Sequence, residues 1–187
     1  MSNRGLTTVA CETSLPGKHI VSNALAAAAV ALVDGMPLAD VAGALRRAQV
    51  PLRIQVHVAR GGGTILDDTY NASPTSMAAA LDLLAEIPGR RIAVLGDMAE
   101  LGAAERESHL AVGRRAAETA DVIHTVGELG RLIAQAARTH GHTDVHEWPA
   151  KDAAAEAVAG DLRPDDVILL KASRALALET VLGALKE

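Results

Sequence analysis

From residue 54 onward, short apolar runs alternate with stretches whose apolar residues recur at helical spacing. Ile54 to Val58 and Thr64 to Asp67 read as two strands, and the Ala59-Arg60-Gly61-Gly62-Gly63 segment between them as a hairpin turn. Ser73-Pro74 opens a helix, with Ser73 as N-cap and proline in the first turn, where a missing N–H costs nothing. Met77, Ala80, Leu81 and Leu84 give that helix its apolar stripe. Ile92 to Leu95 predicts a short buried strand, followed by a helix over 104–120 and a strand from Val122 to Val126. Leu129, Leu132, Ile133, Ala136 and Ala137 then fall at i, i+3, i+4, i+7 and i+8 of a helix. A strand near Val145, a helix over 150–159, a strand from Val167 to Leu170 and a last helix to Leu185 complete the pattern. Such alternation predicts a Rossmann-like α/β fold, a mostly parallel sheet with helices on both faces.

The first fifty residues follow a different pattern. Ile20 to Val33 is apolar nearly all round, which predicts a helix buried against other protein. A second helix, Leu38 to Ala48, carries Val41, Ala44, Leu45 and Ala48 at helical spacing and ends before Pro51. Two helices are too little to fold alone. Residues 1–50 therefore read as the end of a domain whose beginning is absent, and 51–187 as a separate domain.

Composition narrows the picture. The chain has no Phe, one Tyr (Tyr70), one Trp (Trp148) and 38 Ala, so its core is to be built from Ala, Val, Leu and Ile. A single-stranded nucleic-acid platform needs stacked aromatic side chains and is excluded on that ground. The balance of 18 basic and 23 acidic residues, net -5, also speaks against a nucleic-acid partner. One cysteine, Cys11, rules out an internal disulfide framework and a multi-Cys zinc site; it reads as a small buried hydrophobe in a reducing compartment. The longest apolar run, 24–33, is about half the length a bilayer requires, and no secretory signal pattern is present. The expectation is a soluble, cytoplasmic monomer that meets neither membrane nor nucleic acid. His140, His142 and His146 lack metal-site spacing, so no metal site is expected there, and Trp148 belongs to no motif and reads as peripheral packing.

Ligands of open parallel sheets bind at the carboxyl ends of the strands. Three polar clusters fall at such ends: Asp67-Asp68-Thr69-Tyr70-Asn71, Gly96-Asp97-Met98-Ala99-Glu100 and Lys171-Ala172-Ser173-Arg174. Together they predict one cleft. Asp68 suits the hydroxyls of a ribose, Lys171 and Arg174 a carboxylate or phosphate, and Asp97 with Glu100 an ammonium group. The plainer reading is that strand ends are polar because they are loops, with Lys171 and Arg174 a solvated pair offsetting Asp165 and Asp166.

These clusters carry a resemblance. Asp67 to Met77 (DDTYNASPTSM) is similar to the D-D-[ST]-Y-N-A-[NS]-P-x-S-M motif of the Mur ligase family. Leu95 to Gly102 matches L-G-D-M-x-E-L-G, with His109 at the expected distance, and Lys171 to Arg174 with Glu179 is similar to K-[GA]-S-R…E. Upstream, Gly17 to Ala27 resembles the adenine-side segment G-x-H-N-x-x-N-A-L-A-A. The resemblance covers residues 16 to 185 and implies the carboxyl-terminal part of an ATP-dependent ligase of peptidoglycan synthesis. Such a ligase joins D-alanyl-D-alanine to UDP-N-acetylmuramoyl-tripeptide through an acyl phosphate, with Mg2+ screening the phosphates. By the same resemblance, Asn23 is to contact adenine, and Arg53 and Asp68 the phosphates or ribose. Tyr70 and Asn71 are to line the nucleotide side, and residues 1–50 are to end the central ATP-binding domain. Asp97, Glu100, Lys171, Ser173 and Arg174 are placed opposite the dipeptide by position and charge. No catalytic residue is assigned.

The departures bear on activity. Ile20 stands where the family has its first asparagine, and Ala172 where it usually has glycine. The chain carries no G-x-x-G-K-[ST] phosphate loop, no central-domain magnesium residues and no UDP-sugar domain. ATP and Mg2+ are thus expected to serve the whole ligase and not to bind this chain tightly, and the chain alone is expected to be inactive. A free-standing Rossmann-like binding module, or a fragment of a folylpolyglutamate-synthase-like or other Mur-type ligase, are the alternatives.

Overall fold

The computed structural model describes residues 8–11, 18–48 and 54–186, with backbone only for 18–20. The chain divides into two compact units, 1–52 and 53–187. Arg53 lies outside the described residues.

In the first unit, α1 (Lys18–Val33) is followed by α2 (Leu38–Arg47). Asp40 in the first turn of α2 and Arg46 and Arg47 in its last turn complement the helix dipole. The expected burial of α1 is not found: Val21, Leu25, Val30 and Val33 are exposed, Val33 at 90%. Two helices packed on one another bury one stripe of each, so a helix apolar all round keeps its remaining surface open. Cys11 is exposed as well, not a buried hydrophobe.

The second unit holds β1 (Gln55–Val58), β2 (Thr64–Asp67), α3 (Pro74–Glu86), β3 (Arg90–Gly96), α4 (Glu105–Thr119), β4 (Val122–Val126), α5 (Gly130–Thr139), β5 (Val145–Trp148), α6 (Lys151–Gly160), β6 (Asp166–Lys171) and α7 (Glu179–Leu185). They form one six-stranded sheet in the order β1-β2-β6-β3-β4-β5, parallel except for β1, which pairs antiparallel with β2. The glycine run between β1 and β2 is a hairpin connection, as its sequence suggests. Helices α3, α4 and α5 pack on one face, through Leu81, Leu84, Val112, Ala116 and Ile133. On the other face α6 and α7 pack through Ala154, Val158, Val181 and Leu185.

The inner strands show why they read as continuous apolar runs. Every residue of β4 and β6 is buried, because both faces of the sheet are covered. Small residues let the helices approach closely. At Gly113 on α4 a side chain would run into the carbonyl of Ile133 and the methyl of Ala136 on α5. That contact is where the alanine-rich composition becomes close helix packing without aromatic rings.

The topology also points to a site. From β3 the chain proceeds through α4 to β4 and through α5 to β5, then returns by α6 on the opposite face to insert β6 between β2 and β3. Strand order reverses at the β6–β3 boundary, and a crevice opens at the carboxyl ends of strands around such a point.

Candidate functional site at the carboxyl rim of the sheet

The three polar clusters stand at the ends of β2, β6 and β3, which are consecutive neighbours in the sheet. In the first cluster almost every residue has a distinct job. Asp67 Oδ1 accepts from the backbone N–H of Thr69 at 3.1 Å and from its hydroxyl at 2.7 Å, closing a turn directly after β2. Ala72 and Met77 are buried in the core, which anchors the loop at its far side. Ser73 caps α3 in a box with Ser76: Ser73 Oγ accepts from the Ser76 N–H at 3.3 Å, and Ser76 Oγ from the Ser73 N–H at 2.9 Å. With both sides of the loop held, Tyr70 and Asn71 project from it. Tyr70 is 62% exposed, and Asn71 is exposed with its Oδ1 accepting from the Ala72 N–H.

Asp68 and Lys171 are both buried. Lys171, only 1% exposed, places Nζ 2.5 Å from Asp68 Oδ2 and donates to the Asn71 carbonyl at 2.9 Å. A buried ammonium needs such partners, since taking it from water unpaired is costly. The pair joins two adjacent strands, β2 and β6, at their ends. Lys171 is therefore not a solvated charge, as the plainer reading of its sequence position had it; its ammonium is engaged by the first loop.

The second and third clusters are tied to each other. The Ser173 N–H donates to the Asp97 carbonyl at 2.8 Å, and the Ser173 side chain is buried. Asp97 Oδ1 accepts from the Gly130 N–H at 2.7 Å, so this carboxylate holds the start of α5. The sequence reading gave Asp97 to an ammonium ligand; in the structure one of its oxygens makes this cap. At Gly96 a Cβ would lie 2.5 Å from Leu176 and 2.7 Å from the Ala172 methyl, so these loops meet without room for a side chain there. Glu100 is exposed and holds φ 63, a left-handed conformation uncommon for a residue with a side chain. Arg174 is exposed, and its guanidinium stands 3.4 Å from Glu179, the glutamate that completes the third motif.

His109 is a residue that sequence reasoning placed in the motif without a role. It is fully buried on α4, where its Nε2 accepts from the Met98 N–H at 2.9 Å and its Nδ1 donates to the Glu105 carbonyl at 2.7 Å. The ring thus fastens the second cluster to α4. Its spacing from the Gly-Asp-Met run was the available signal, but spacing alone does not show that a ring nitrogen meets a backbone amide.

Away from the rim, His124, His146 and Trp148 form a stacked row across β4 and β5, with ring centroids 4.9 to 6.3 Å apart. The Trp148 indole N–H donates to His124 Nδ1 at 3.0 Å. Burial, reinforced by His146, pushes the His124 imidazole down to about 4. Trp148 is thus a hydrogen-bonded edge residue rather than passive packing. Among the described residues, no group of three His, Cys, Asp or Glu side chains is placed to hold a metal ion. No helix of the described residues is long and apolar enough to cross a membrane.

Asn23 lies on α1 of the first unit and is exposed. Of the other expected site residues, the second unit brings Asp68, Tyr70, Asn71, Asp97, Glu100, Lys171, Ser173 and Arg174 to one rim.

The chain has relatives among known proteins. Residues 52–174 match the family "Mur ligase, glutamate ligase domain". A UDP-N-acetylmuramoyl-tripeptide–D-alanyl-D-alanine ligase of Bacillus subtilis is 38% identical over 91% of the chain, and one of Mycobacterium tuberculosis is 39% identical over 90%. The chain spans 38% of the length of each of these relatives. Among solved structures, MurF of Acinetobacter baumannii superposes with a TM-score of 0.72 at 31% identity, covering 92% of this chain and 39% of that one. MurF of Thermotoga maritima in complex with ADP gives 0.66 at 29% identity, covering 88% and 37%. The chain belongs to the Mur ligase family, and residues 52–174 are its glutamate ligase domain.

Proposed function

We propose that this chain acts as the carboxyl-terminal part of an ATP-dependent ligase that joins D-alanyl-D-alanine to UDP-N-acetylmuramoyl-tripeptide. The observation that carries the reading is the convergence of three motif loops at the strand-order reversal of the sheet, with relatives of that name matching over nine-tenths of the chain. In this reading residues 1–50 end the central ATP-binding domain and 51–187 form the carboxyl-terminal domain.

The donor set at the first loop fits a nucleotide ribose. Asp68 engages Lys171 through Oδ2, which leaves Oδ1 to accept from a sugar hydroxyl. Tyr70 and Asn71 offer an exposed ring edge and a side-chain amide beside it. For Asn23 the reading is adenine contact, and for Arg53 phosphate contact, both carried by the motifs alone. ATP, when bound in the whole ligase, supplies the activation of the tripeptide carboxylate. The rim described here binds and orients. Arg174, exposed and loosely held by Glu179, is suited to a two-pronged contact with the dipeptide carboxylate. Glu100, exposed on the neighbouring loop, is suited to its ammonium. Asp97 and Ser173 keep those two loops in register and Lys171 serves the nucleotide side. No residue of the chain is assigned to Mg2+, and without a phosphate loop the chain by itself is inactive in this reading.

A chimera tests it. Residues 53–187 replace the matching segment of the Bacillus subtilis relative, and phosphate release is followed with ATP, tripeptide precursor and D-alanyl-D-alanine. Release that requires all three is expected. A folded chimera whose release ignores the dipeptide, or that turns over nothing, overturns the reading.

A further inference from the structure

We infer that Lys171 is a positioning residue for ribose recognition, setting which oxygen of Asp68 faces a nucleotide. The inference rests on the nucleotide reading of the first loop and goes beyond it by giving the sugar selectivity a second, buried determinant on another strand.

A carboxylate rotates freely about its last bond unless something holds it, and a rotating acceptor is a poor selector. Asp68 is held. Its Oδ2 lies 2.5 Å from Lys171 Nζ, and the same ammonium donates to the Asn71 carbonyl at 2.9 Å. One cation therefore clamps both the carboxylate and the backbone of the loop that carries Tyr70. The Asp68 backbone is fixed too, since its N–H donates to the Leu170 carbonyl at 3.0 Å, the residue just before Lys171. Backbone and side chain of Asp68 are thus both referenced to the end of β6, whose residues are all buried. A flexible surface lysine would give no such reference; Lys171 is among the largest fully buried side chains of the described chain. Its side chain is buried along its length, and the ammonium pairs with the Asp68 carboxylate.

The clamp has a chemical consequence. With Oδ2 committed, Oδ1 accepts from one sugar hydroxyl in a fixed direction, so removal of the ribose 2′-hydroxyl is felt as a lost charge-assisted hydrogen bond. Without the ammonium, the carboxylate turns, the loop loosens, and the preference for ribose over deoxyribose falls.

The test uses the full chain and equilibrium binding. Backbone amide shifts of residues 67–74 are followed by NMR during titration with ADP and with 2′-deoxy-ADP, for wild type, Asp68→Asn, Lys171→Met and Lys171→Arg. Wild type is expected to prefer ADP by roughly tenfold. Lys171→Met and Asp68→Asn are expected to bring the ratio near one, and Lys171→Arg, which keeps a cation at that position, to restore part of it. Should Lys171→Met fail to fold, Lys171→Gln, with an amide donor of similar reach, takes its place and is expected to lose most of the preference. A wild-type ratio retained in Lys171→Met or Lys171→Gln while Asp68→Asn abolishes it overturns the positioning role alone. Equal shifts by both nucleotides in wild type, or none by either, overturn the nucleotide reading and the inference together.

Discussion

Strand β6 carries a buried ion pair at each end, and the two are built differently. At the base, Asp166 is saturated: Arg90 reaches it through Nε at 2.7 Å and Nη2 at 2.9 Å, and the Arg163 N–H donates at 2.7 Å. Arg90 spends its remaining donors on Asp161, on both the side chain and the carbonyl. The hydrogen bonds to Asp166, with help from Asp161, raise the Arg90 pKa further above its ordinary value. At the rim, Asp68 has Lys171 on one oxygen, and beside it stands an exposed loop. A carboxylate whose acceptors are all used inside the protein can only hold the fold. One with an oxygen to spare next to exposed polar groups can also hold a ligand.

The comparison is most severely tried at the base. Asp166→Ala leaves Arg90 partly buried without its main partner and is expected to destabilise the chain by about 3–5 kcal/mol, read as a shift in denaturant midpoint. A loss no larger than that of an exposed ion pair would erase the distinction between the two ends.

Acid probes the ground between them without a mutation. His124 is pushed down to about 4 by burial, so between roughly pH 6.5 and 4 the unfolded chain binds the proton that the folded chain refuses. Stability is therefore full above this window and falls as pH drops through it, by up to ~3 kcal/mol. His124→Asn, which keeps an acceptor for the Trp148 indole, is expected to flatten this part of the profile in chemical denaturation series. An unchanged slope would detach it from His124.

The smallest effect on stability belongs at the rim's open side. Arg174→Ala is expected to change stability by less than about 0.5 kcal/mol, because the guanidinium is exposed and only loosely paired. In the chimeric ligase the same change is expected to raise the KM for D-alanyl-D-alanine about tenfold with little change for ATP. A large stability loss would move Arg174 into the class of Asp166.

Much of this was legible in the chain. The alternation of apolar runs and helical stripes foretold the order of elements from β1 to α7, and Ser73-Pro74 located the start of α3 to the residue. Patterns of this kind are local, so sequence displays them. The partner of Lys171 is 103 positions away, and whether a lysine at a strand end is solvated or buried depends on which strand lies beside it. The row of His124, His146 and Trp148 depends likewise on the register of β4 against β5, which sets His124 opposite His146. The apolar surface of α1 misled in the other direction, since hydrophobicity states what a helix can bury and not what the described chain provides to cover it.

The close contact of Gly96 with Ala172 sets a rule for sequence variation. Positions 96 and 172 share room for a single methyl group, and in this chain the methyl sits on residue 172. Moving it across, as Gly96→Ala with Ala172→Gly, would still bring position 96 against the end of the Leu176 side chain, which can rotate away. Adding it without removing the other would force the two loops apart. Substitutions at these two sites are therefore coupled, and a variant library built on this fold has to change them as a pair.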